Sequence, residues 1–226
     1  MVRLTKKSKQ SLKLNKIVKY LVLSDLVFYS GWGLISPIFA IFLLNSIVGG
    51  TAFVVGMAAG INLIFRSILR VPFGVMSDKS QKTAFHLMFW GLLIAAFVPL
   101  GYIYASLPMH IYLLQFILGA SLAMSSGGWT ALFSRHMDKG KESTEWGYDA
   151  VAVGLGPGIA GILGGAAVTY FGFQSVFVGV TLLGLIGVFM LLAIKKSILH
   201  GAGLIIRNKI SAEAYELRRM KKARFA

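Results

Sequence analysis

Apolar runs long enough to cross a bilayer recur six times along this sequence, at about 17–45, 52–73, 83–105, 110–133, 145–170 and 173–194. Wound as a helix, about 20 such residues span the roughly 30 Å of hydrocarbon in a membrane. No run alternates with the two-residue period of a transmembrane barrel strand. Lipid offers no partner for unpaired backbone groups, so helices are the consistent choice. The expected fold is an all-α integral membrane bundle of six transmembrane helices. Composition agrees: 56% of the 226 residues are hydrophobic and 14% are charged, with a mean hydropathy of +0.73, too oily for a soluble domain.

The basic residues fix an orientation. Lys and Arg crowd the N-terminal segment from Arg3 to Lys19, the second loop at Lys79 and Lys82, the fourth loop at Arg135, Lys139 and Lys141, and the tail from Lys195 to Arg224. The alternate loops, at 46–51, 106–108 and around Gly172, have none, and of the 23 cations only Arg66 and Arg70 fall elsewhere. Positive charge stays on the cytoplasmic side, so six spans place both termini inside a cell membrane; an odd number of spans scrambles the pattern. The net charge of +15 is distributed between and outside the apolar runs, unlike the basic face of a nucleic-acid binder, and no nucleic-acid partner is expected. Residues 1–16 are thus a basic cytoplasmic N-terminus, 17–194 the transmembrane domain and 195–226 a basic cytoplasmic tail. The first apolar run exceeds a signal-peptide core and is expected to remain as an uncleaved span. In the tail, 211–224 has the pattern of a short helix, and its cations suit contact with anionic membrane lipids.

Chemistry of other kinds finds little support. With no cysteine there is no disulfide framework or thiol nucleophile, and His86, His110, His136 and His200 are too scattered for a metal site. Phosphate-cradling loops, nucleophile elbows and zinc-protease motifs are absent from the sequence, so neither an enzyme nor a cofactor is expected.

Ionisable groups inside a span are costly and mark candidate functional positions. Asp25 lies about two turns into the first run, with Tyr29 and Trp32 following on roughly the same face. Asn62, Arg66 and Arg70 recur every fourth residue and form one polar stripe on the second span, which makes Asp25 and Arg66 plausible partners. Glu145 and Asp149, also four apart, open the fifth run near the inner surface, within range of Arg135 or Arg70. Asp25, Glu145 and Asp149 equally suit interfacial anchoring of helix ends. Trp32, Trp90, Trp129 and Trp146 suit packing or an interface belt better than ligand platforms.

At the inner end of the second span, 70–82 reads Arg-Val-Pro-Phe-Gly-Val-Met-Ser-Asp-Lys-Ser-Gln-Lys. Gly74 permits close helix approach, Asp78 is placed to pair with cations or cap a helix, and Lys79 and Lys82 face an anionic leaflet. Such a charge cluster between packed spans can form in one arrangement and break in another, as a gate requires. This segment resembles the signature loop between the second and third helices of the major facilitator superfamily, with Gly74, Asp78, Lys79 and Lys82 in register and Gln81 and Thr83 departing from the pattern. A second resemblance, to the fifth-helix pattern of antiporter-type members, covers 152–161; Gly156, Pro157 and Gly161 match, and Ala152 and Ala160 replace glycines. Tight helix packing accounts for these small residues as well as a coupling role does. Gln115 stands where the family's fourth-helix Arg is expected, which argues against simple proton antiport.

Members usually comprise two six-helix halves with the substrate between them. The resemblance, over 17–194, implies one N-terminal-type half, and a lone half leaves Asp25, Asn62 and Arg66 facing lipid. A second six-helix half is therefore an expected partner. A second copy is the simplest, ahead of a separately encoded half, with a truncated product also possible. The function this implies is secondary transport of a small solute by alternating access; the alternative is a non-transporting membrane scaffold or lipid-interacting protein of the same fold.

Overall fold

The computed structural model describes residues 14–199, which are helical almost throughout and contain no strand. The elements are α1 (Lys16–Ile35), a single 3-10 turn (Ser36–Ile38), α2 (Phe39–Ser46), α3 (Ala52–Asp78), α4 (Gln81–Ile103), α5 (Pro108–His136) and α6 (Glu142–Met190). Five helical stretches are long and apolar enough to cross a membrane, with Lys16–Ser46 and Glu142–Leu199 each taken as one. The basic ends, 1–13 and 200–226, including the short helix expected at 211–224, lie outside the described residues.

Helix starts follow local chemistry. Asn15, Thr51 and Ser80 each precede an apolar run, and their side-chain oxygens accept from the Val18, Val54 and Thr83 amides. Each cap satisfies one of the amides that a helix start leaves unpaired. The first run, expected as one span over 17–45, is interrupted by the turn at Ser36–Ile38. Pro37 has no amide hydrogen and cannot continue the helical ladder, so the chain bends there before resuming as α2.

The longest stretch folds back on itself. Its 58 residues would extend roughly 87 Å as one straight helix at about 1.5 Å per residue. Gly172, at φ 75° and ψ 167°, breaks it in a backbone region that favours glycine. The contacts give the direction on either side. In the first arm, Gly156 lies against Leu26 and Ser30 and Gly161 against Pro37, so the arm runs parallel to α1. In the second, Val180 lies against Gly31 and Gly187 against Ser24, so the chain has reversed. The turn expected around Gly172 is this reversal.

The same tracing places Lys16, Lys19, Lys79, Lys82, Arg135, Lys139, Lys141, Lys195 and Lys196 at one end of the bundle. That end is tied by the Asn15 side-chain amide, which donates to the His136 carbonyl. The other end is closed by Val48 donating to the Ser106 carbonyl (2.9 Å) and by an aromatic cluster in which Phe177 lies 4.9 Å from Phe42 and 5.5 Å from Tyr102.

Both arms of α6 pack on α1 through backbone rather than side chains. A Cβ at Gly33 would sit 2.5 Å from the Pro157 Cα, and one at Gly164 would fall onto the Leu34 carbonyl. The Ser24 hydroxyl donates to the Gly187 carbonyl (2.8 Å) across the second arm. Small residues are the usual means of helix association in lipid, where apolar burial alone gives little preference for a neighbouring helix. Gly164→Val is therefore expected to cost about 2 kcal/mol or more by forcing α6 off α1. Leu182→Ala, on an outward-facing side chain 56% exposed, should cost under about 0.5 kcal/mol. Thermal unfolding in detergent, followed by circular dichroism, separates the two; equal losses would contradict the packing described.

Candidate functional site

The polar stripe of α3 faces α1 and α5. The helices meet closely where Gly119 passes Asn62, since a Cβ there would lie 2.6 Å from the Asn62 carbonyl oxygen. Asn62 Nδ2 donates to the Gln115 carbonyl (3.3 Å), and Gln115 Nε2 donates to the Tyr102 hydroxyl (3.3 Å). Gln115 thus takes part in an uncharged network at the place where the family pattern has Arg.

Three adjoining cavities follow this stripe from mid-bundle toward the end where the cations collect. The first, about 280 Å³, is lined by Tyr29, Trp32, Asn62, Arg66 and Gln115. The second, about 200 Å³, shares Tyr29 and Arg66 with it and adds Asp25, Arg70, Asp149, Trp129 and Trp146, with Ser125, Ser126 and Thr130 between them. The third, about 340 Å³, shares Arg70 and Thr130 and ends at Gly74, Asp78 and Arg135. Together they form a polar track bounded by α1, α3, α5 and the first arm of α6.

The expected partners meet differently from the simplest sequence reading. Asp25 and Arg66 line one cavity without forming an ion pair, and Asp149 makes none with Arg70. Asp25 is 6% exposed. The Asp149 Oδ1, Trp32 Nε1 and Trp129 Nε1 atoms are buried without a hydrogen-bond partner among the described residues. The expected grouping of Arg135, Glu145 and Asp149 is dispersed. Arg135 turns to the end of α3; Glu145 is fully buried and its Oε2 accepts from the Asp138 amide (3.2 Å), bracing the α5–α6 loop; Asp149, one turn further on, enters the central cavity. Four-residue spacing put Glu145 and Asp149 on one helix face, but the loop folds over the first and leaves the second facing α1.

At the gating motif, Arg135 donates to the backbone carbonyls of Asp78 (2.9 Å) and Ser77 (3.4 Å), the last unpaired acceptors of α3. Its guanidinium is 3.8 Å from the Asp78 carboxylate, whose side chain is 78% exposed. Exposed pairs of this kind contribute about 0–1 kcal/mol, so the carbonyl contacts hold the junction more firmly than the ion pair does. A Cβ at Gly74 would have open space beside the third cavity, while its amide lies beneath Gly127 of α5. Gly156, Pro157 and Gly161 form the α6 surface against α1 already described.

Sequence reasoning missed the contribution of α5. Ser125 and Trp129, and Ser126 and Thr130, are two pairs four residues apart, and both line the central cavity. A stripe of small hydroxyls in an apolar run was the available signal.

A bundle with five helical stretches long and apolar enough to cross a membrane, polar side chains lining its cavities and cations collected at one end suits a multi-pass membrane protein. The Major Facilitator Superfamily model matches residues 21–208, and the chain belongs to that family. No curated protein matches the chain.

Arg135→Gln is expected to destabilise the bundle by about 1–2 kcal/mol through the stranded α3 carbonyls, and Asp78→Asn by less than about 1 kcal/mol. Chemical or thermal unfolding in a fixed detergent compares them; a larger effect at Asp78 would reverse the assignment.

Proposed function

We propose that this chain is a secondary transporter of a small solute, built as one six-helix half that pairs with a second copy of itself in the cell membrane. Six spans, with α1 and α2 counted as one and the two arms of α6 as two, cross the bilayer with both termini cytoplasmic, since that orientation puts the basic end of the bundle inside. Alternating access follows from rocking one protomer against the other, with the Asp78–Arg135 junctions closing the inner side.

The observation that carries this reading is the face formed by α3 and the first arm of α6. Only 11% of the membrane-length window of α3 is buried, and Arg70 on it is exposed. An uncovered Arg within the hydrocarbon is costly, so a polar track opening beside such a face favours a partner surface. The face is also shaped for one. Gly56 and Gly60 on α3, and Gly147, Gly154, Gly158 and Gly165 on α6, have open space where a Cβ would stand. Their spacing sets each group on one stripe, the pattern by which membrane helices draw together. A second copy supplies the same stripes and encloses the track between two halves.

Native mass measurement in nanodiscs is expected to give a protein mass of about 49 kDa, twice the 24.5 kDa of the chain. Gly158→Leu should convert the particle to single chains while leaving helix content unchanged. Vesicles carrying the paired protein should take up a solute from a mixed metabolite pool that Asp25→Asn vesicles do not. A single chain that is unaffected by Gly158→Leu and moves no solute would favour the scaffold reading.

A further inference from the structure

The central cavity has two walls of opposite charge. On one side stand Asp25 of α1 and Asp149 of α6, and on the other Arg66 and Arg70, one turn apart on α3. The walls are not joined by any ion pair between these four residues. Two further features set this cavity apart. Asp25 is buried at 6% exposure, and Trp129, 8% exposed, has an indole N–H with no acceptor among the described residues. A buried carboxyl and a buried, unpaired indole N–H are costly to keep from water, so a site holding both is completed by what enters it.

The charges also say what enters. A singly charged cation meets the carboxylates but leaves two guanidiniums unmatched, and a singly charged anion does the reverse. A small molecule with a cationic and an anionic group satisfies both walls while remaining neutral overall. The ring of Tyr29 and the indoles of Trp129 and Trp146 line the same space and suit an ammonium centre, since aromatic faces attract cations. The guanidiniums suit a carboxylate, which each can hold in a planar fork. With about 200 Å³ available, the molecule is of amino-acid size rather than drug size. We propose that the cavity between Asp25, Asp149, Arg66 and Arg70 is a binding site for small zwitterions that bear an ammonium group and a carboxylate. The proposal rests on reading the track as a solute path and specifies the class of solute.

The test uses the full chain in nanodiscs and a panel of neutral amino acids. Each is offered also as its methyl ester, which keeps only the cation, and as its N-acetyl form, which keeps only the anion. Binding is read from the unfolding temperature and from indole fluorescence. At least one free amino acid should bind, with its ester and its N-acetyl form weaker by about tenfold or more, the range expected for losing a hydrogen-bonded charged contact. Arg66→Gln should narrow the gap between zwitterion and ester, and Asp149→Asn the gap between zwitterion and N-acetyl form. The wild-type comparison stands even where a variant does not fold. Absence of binding by every free amino acid, or equal binding of the singly charged forms, would overturn the proposal. Zwitterion binding without pairing or flux would leave this site standing and defeat the transporter reading; flux of a singly charged solute with no preference for zwitterions would do the opposite.

Discussion

The backbone contact of α1 with both arms of α6 sets the geometry on which the other helices depend. Where Gly33 meets Pro157 and Gly164 meets Leu34, no side chain separates the helices, so their distance is fixed by the main chain itself. On the second arm the arrangement repeats where Gly31 of α1 meets the Val180 carbonyl and Gly187 meets the Ser24 carbonyl. With α1 held from two sides, Asp25 and Tyr29 face inward at a fixed depth, and Asp149 is brought opposite Asp25. In lipid, where apolar burial does not favour one neighbour over another, this close approach is the main source of specificity.

The position of α3 is the counterpart. It touches α5 closely through Gly119 and Gly127 but has most of its surface uncovered. A helix so placed can present cations on an inward stripe and glycines on an outward one. Arg66 and Arg70 border the central cavity, while Gly56 and Gly60 remain open for a partner. The α1–α6 unit and the peripheral α3 thus form two walls of the central cavity, one backed by close helix contacts and one largely uncovered.

Much of this was legible in the sequence, because membrane helices advertise themselves through length and charge. The apolar runs, the reversal near Gly172 and the collection of cations at one end follow from hydropathy, glycine and loop composition. Hydropathy continues through the break at Pro37 and so does not mark it; the missing proline amide is the signal there. At the site, the α3 stripe was readable from its four-residue period. The pairing of charges was not, since spacing gives a face but not a neighbour. Asp149 joins Asp25 because α6 runs parallel to α1 at that level, and Arg135 reaches the carbonyls at the end of α3 because α5 ends beside it. Both facts belong to the packing of distant segments.

If the cavities between α1, α3, α5 and α6 carry a solute, water reaches the side chains along them. The chain has no cysteine, so single replacements report without background. Reaction of Asn62→Cys and Thr130→Cys with a membrane-impermeant maleimide, in vesicles opened to both sides, measures water along the track, because the thiolate that reacts forms only where water reaches it. Both positions should label readily while Leu182→Cys, on the outward face, stays silent. Labelling of the two track positions no faster than that of Leu182→Cys would contradict the account.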